Sequence, residues 1–157
     1  MIKTVAMSEL APIIVEKTKS GGTATLTARG TSMMPMLCDN KDVITLSQKP
    51  LKLKKYDLPL YVRKETGQFV VHRIHKVQSD GTYVISGDNQ TAMEYGITYD
   101  DVLAVVTEFS HKGKKHSTNE LSYKLYCRLW CVYHLIRRSI LLPTKKFIKS
   151  LIRKSGV

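Results

Sequence analysis

Three short stretches of the chain hold residue types suited to acyl-transfer chemistry. The first is Gly30-Thr31-Ser32-Met33-Met34-Pro35-Met36-Leu37. A serine in a turn opened by glycine exposes its hydroxyl, glycine lets a substrate backbone approach, and neighbouring amides can face a developing oxyanion. The second is Val70-Val71-His72-Arg73-Ile74. An imidazole titrates at about 6.5 when unperturbed, so a histidine beside a serine can take its proton near neutral pH. His75 competes for that role, but in a regular strand it points to the opposite face. The third is Gly87-Asp88-Asn89-Gln90, followed by Glu94. Either carboxylate could buttress a catalytic group. Each stretch also has an ordinary reading: a turn serine, a strand histidine held by a carbonyl, and a common Gly-Asp-Asn turn.

Positioning these residues requires a scaffold, and the punctuation of the chain suggests one. Residues 8–19 read as a short helix capped by Ser8 and ended by Gly21-Gly22. Strands are expected over residues 23–29, 42–47, 58–63, 68–77, 82–86 and 102–108. Glu65-Thr66-Gly67 and Ser79-Asp80-Gly81 supply the turns. Short strands at hairpin spacing predict a mostly β, antiparallel domain, not alternating βαβ units. Residues 1–110 should form this domain, 111–120 a polar linker, and 121–157 a basic amphipathic helical tail.

Ser32, His72 and Asp88 gain force from their order. Gly-x-Ser-Met-x-Pro, a strand begun at Asp57, Val-His-Arg-Ile and Gly-Asp-Asn together resemble the boxes of type I signal peptidases and the related self-cleaving repressors. The resemblance runs from about Leu26 to Val106. It implies a signal-peptidase-like β domain and a serine endopeptidase that cleaves a signal or leader segment of a peptide or protein. Bacterial signal peptidases place a lysine base in the box matched by Val71-His72-Arg73; the endoplasmic-reticulum and archaeal-like branch places a histidine. The resemblance therefore implies Ser32 as nucleophile and His72 as general base. It also implies that Gly30, Ser32, Met33 and Pro35 form the oxyanion hole and substrate-binding surface. Asp88, Asn89, Glu94 and Arg73 become supporting residues, with Glu94 the candidate to orient His72. The chain departs from the pattern at Lys41-Asp42, at Tyr56-Asp57 and at Cys38, and shows no N-terminal membrane anchor. No metal or organic cofactor is implied. A non-catalytic or regulatory domain of the same type, binding peptide, membrane or nucleic acid, is the alternative.

Charge is divided unevenly. Residues 1–111 hold 13 Lys/Arg against 12 Asp/Glu; residues 112–157 hold 12 Lys/Arg against the single acid Glu120. Such a tail seeks anionic surfaces. Leu121, Leu125, Leu129, Val132, Ile136 and Ile140 recur at helical spacing, with Lys124, Arg128, His134 and Arg138 set opposite. The expected partner is an anionic membrane on which residues 121–157 lie flat; packing on the β domain, oligomerisation and non-specific nucleic-acid contact are the other readings. Base readout is not expected, because too few residues precede the β domain for a helix-turn-helix module. Oligomeric state stays open. Cys38, Cys127 and Cys131 make no disulfide framework, and the latter two read as apolar fillers. With no signal peptide in view, the expected location is the cytoplasm or the cytoplasmic membrane surface.

Overall fold

A computed structural model describes residues 6–141. Helix α1 (Met7–Lys19) buries Ala11, Ile14 and Thr18 on one side. It begins after Ala6, not at a Ser8 cap, and no side chain caps it. Gly21 ends it at φ +84°, a left-handed conformation that costs glycine little.

Among the described residues nine strands follow: β1 (Ala24–Thr27), β2 (Val43–Ser47), β3 (Pro59–Val62), β4 (Phe69–Val71), β5 (Arg73–Val77), β6 (Tyr83–Ser86), β7 (Glu94–Ile97), β8 (Val102–His111) and β9 (Lys114–Ser117). Every pairing is antiparallel. A six-stranded sheet runs β1-β2-β8-β3-β4, with β9 also on β8. A three-stranded sheet runs β5-β6-β7. The mostly β, antiparallel expectation therefore holds in this coarse form.

Glu94–Ile97 forms a strand the sequence reading did not expect, and two further stretches differ from that expectation. The single strand expected over 68–77 is cut at His72, where the chain leaves the larger sheet and enters the smaller one. Residues 111–120 are not a linker, because Lys114–Ser117 pairs with Glu108–His111 as β9.

One core cluster joins Ile14, Met33, Met36, Leu37, Ile44, Leu46, Leu58, Leu60, Val106 and Phe109. It therefore ties α1, the Ser32 loop, β2, β3 and β8 together. A second joins Leu53, Tyr61, Ile74, Tyr83, Ile85, Val102 and Val105 between the two sheets.

Helix α2 (Leu121–Ile136) continues as a π turn over Arg137–Leu141. It packs on the β domain through Tyr123, Cys127, Cys131 and His134, all buried. Tyr123 and Cys127 belong to the first core cluster. The stripe Leu121, Leu125, Leu129, Val132 and Ile136 instead faces water, so packing of that stripe on the β domain is not what occurs. The second basic stretch, 144–154, lies outside the described residues.

Candidate active site

Ser32 sits on the loop between β1 and β2, half-buried. Gly30 begins that loop at φ +86°, again in glycine's conformational territory, and its amide donates to Asp39 Oδ1 at 2.8 Å. That amide is therefore already engaged. The amides of Ser32 and Met33 donate to no group among the described residues. They are the donors free to face an oxyanion. Met33 is buried and anchors the loop in the core; Pro35, which follows a cis peptide bond, is exposed.

His72 is 1% exposed. Its Nδ1 lies 3.1 Å from Glu94 Oε1 and 3.2 Å from the Tyr61 hydroxyl. Tyr61 donates its only hydroxyl proton to Glu94 Oε2 at 2.8 Å, so it has none for His72. Arg63 grips the same carboxylate in a fork, Nε to Oε2 at 2.8 Å and a terminal nitrogen to Oε1 at 2.6 Å. With Glu94 acting only as an acceptor, Nδ1 must carry the proton of a neutral His72. The lone pair is then on Nε2, which is buried and has no hydrogen-bond partner.

Electrostatics agree with that assignment. Burial lowers the His72 pKa below its ordinary 6.5; Glu94 opposes the shift and Arg63 adds to it. Burial pushes the Glu94 carboxyl up, but hydrogen bonds from Arg63 and Tyr61 outweigh it, so the group stays ionised below the usual carboxylate range.

Gly87 brings Ser32 and His72 together. A Cβ built there would lie 2.5 Å from the Ser32 carbonyl oxygen and 3.0 Å from His72 Nε2. Both groups therefore crowd the same Cα. Asn89, two residues on, clamps the same loop: its amide donates to the Ser32 carbonyl at 2.8 Å and its Nδ2 to the Thr31 carbonyl at 3.2 Å. The Ser32 hydroxyl makes no hydrogen bond to Nε2 in this unliganded arrangement; such contacts often tighten only around substrate.

A groove of about 900 Å³ opens over these residues. Gly30, Ser32, Met33, His72, Arg63 and Gln90 line it beside apolar Leu26, Ala28, Phe69 and Val71. Pro35 is not among its lining residues.

Asp88 and Arg73 do not reach the imidazole by hydrogen bond. They form a wholly buried pair, Nε to Oδ1 at 2.8 Å and a terminal nitrogen to Oδ2 at 2.7 Å. Arg73 also donates to Tyr123 and Cys127 of α2, and Tyr126 donates to Asp88 at 3.0 Å. The pair thus pins the 87–90 loop to β5 and to α2. Removing one partner of a buried pair typically costs about 3–5 kcal/mol.

His75, the competing base, lies at a register shift in β5 and packs against His134, the rings tilted by 43° with centres 4.8 Å apart. Burial, and then His134, lower its pKa to about 4. It faces α2, not the groove.

Sequence reasoning missed Tyr61 and Arg63. The signal that could have found them is their spacing: two residues apart along β3 and its end, they share a face.

Among the described residues, Cys38, Asp42 and His111 could offer a metal one ligand atom each, all within 4.8 Å of one another. Asp42 Oδ2 is already accepting from the Cys38 amide and lies 3.3 Å from His111 Nδ1. The cluster shares no residue with the groove lining. No protein-family model, no curated protein and no solved structure matches the chain.

Proposed function

We propose that the chain is a serine endopeptidase that removes a signal or leader segment, with Ser32 as nucleophile and His72 as general base. One observation carries this reading. His72 is held through Nδ1 by Glu94, and its unpartnered Nε2 is buried against the same glycine that touches the Ser32 main chain. His75 Nε2 and His134 Nδ1 are also buried without a partner; what sets His72 apart is that its free nitrogen adjoins the Ser32 loop and that the residue lines the groove.

The Ser32 Oγ attacks the scissile carbonyl while its proton passes to His72 Nε2. Ionised Glu94 stabilises the imidazolium, and the Ser32 amide meets the oxyanion. Nε2 then protonates the leaving amine. Water, deprotonated by the same nitrogen, hydrolyses the Ser32 ester and returns the proton to Oγ.

Substrate class follows from the resemblance of the Ser32, His72 and Asp88 boxes to signal peptidases. A groove lined by Ala28, Leu26, Phe69 and Val71 suits an extended segment with apolar or small side chains.

A non-catalytic peptide-binding domain is the second reading, favoured by the missing hydrogen bond between Ser32 and Nε2. A fluorophosphonate probe separates the two. Ser32 should be labelled, and Ser32→Ala should lose labelling and reduce cleavage of a leader-bearing peptide by about 10³-fold or more, with an unchanged thermal melt. Full activity in Ser32→Ala sinks the proposal.

A further inference from the structure

Helix α2 is apolar on two sides. The inner side is committed: Tyr123, Cys127, Cys131 and His134 are buried, and Tyr126 and Trp130 donate to Asp88. The helix is therefore fixed in rotation about its own axis. The outer side carries Leu121 at 82% exposure, Leu129 at 63%, Val132 at 56%, Leu125 at 55%, Leu135 at 53% and Ile136 at 44%. A solvated helix face does not carry large aliphatic groups on successive turns; such a patch marks an interaction surface. Lys124, Arg128 and Arg138 are exposed on the same helix and its continuation. Its flanking acid, Glu120, is engaged by the Ser117 amide and lies 3.5 Å from His116.

We propose that this outer face is a docking surface for an anionic lipid bilayer, with α2 lying in the plane of the interface. Charge complementarity selects the occupant. Aliphatic groups enter the acyl boundary while Lys124, Arg128 and Arg138 reach headgroup phosphates. The sequence continues with Lys145, Lys146, Lys149, Arg153 and Lys154, all of the same sign. A second copy packed stripe to stripe would set these bases against one another with no acid on α2 to meet them. Nucleic acid would use the bases and leave the aliphatic row in water. No helix among the described residues is long and apolar enough to cross a membrane, which fits lying flat. Because the inner face is locked, docking holds the β domain on the water side of the surface. The proposal does not depend on the peptidase reading.

The test is flotation of the full chain with vesicles of phosphatidylcholine alone and with phosphatidylglycerol added. Binding is expected only to the anionic vesicles and should weaken as salt rises. Leu125→Glu combined with Leu129→Glu should lower partitioning by about tenfold or more while leaving the thermal melt intact. Lys124→Glu combined with Arg128→Glu should lower it by about tenfold. Any of four results overturns the proposal: no binding to either vesicle, equal binding to both, undiminished binding by the leucine variant, or a lipid-free dimer that the leucine variant dissociates.

Discussion

The proposed chemistry rests on which nitrogen of His72 holds a proton. Glu94 cannot donate while ionised, and Tyr61 spends its proton on Glu94, so Nδ1 donates and Nε2 accepts. Burial keeps the ring neutral until the pH falls below the ordinary 6.5. Cleavage should therefore rise with pH along a limb whose midpoint lies below 6.5, then level off. In Glu94→Gln the charge that favours imidazolium is gone while Arg63 remains. The limb should move to still lower pH and the plateau fall by about 10²–10⁴-fold. A pH–rate profile of both proteins checks this; an unmoved limb would show that Glu94 does not act on the ring. The meeting of His72 with Glu94 was legible because order and spacing along the chain single out both as candidates beside Ser32. Tyr61 was not, since an aromatic residue in an apolar strand reads as core, which most of its ring is.

Local pattern recovers elements only where the chain alternates. The Asp80-Gly81 hairpin was readable, and Gly81 adopts φ +82° as that turn requires. β9, Lys-Lys-His-Ser, has no apolar alternation; it forms because the edge of β8 offers it hydrogen bonds. β7 hides behind Gly96 and exposed Tyr95 for the same reason. The break at His72 is likewise silent in sequence, because both flanking strands favour β structure and only the two-sheet arrangement divides them. The 87–90 loop gives the sharpest prediction at this scale. Gly87 is required by space, not by φ: a methyl there meets the Ser32 carbonyl at 2.5 Å. Gly87→Ala should push Ser32 from His72 and cut kcat by about 10²-fold, the cost of roughly 1 Å of misplacement, with a smaller effect on KM. Kinetics beside a melting curve test it; wild-type kcat in the variant would mean the loop yields freely.

For the whole molecule, the sequence separated a neutral body from a basic end correctly in charge but not in construction. Two stripes of α2 share one helical period, Leu121-Leu125-Leu129 and Tyr123-Cys127-Cys131. Periodicity reveals that faces exist and cannot rank them; the more polar set is the one that covers Arg73, and Tyr126 beside it reaches Asp88. α2 is therefore part of the domain. A chain ending at Glu120 should lose cooperative melting, because it uncovers a buried ion pair together with the core beneath Tyr123 and Cys127. Calorimetry decides this, and a full-strength transition in the shortened chain would restore the view of α2 as an appendage. The passage of the chain from one sheet to the other at His72 has a consequence of its own. Ser32 hangs from the larger sheet and His72 sits where the chain passes into the smaller one, so their separation is set by how the two sheets seat against each other. If the proposed chemistry holds, swapping one aliphatic for another at Ile74, Ile85 or Val105 along that seam should change the rate with every polar group in place.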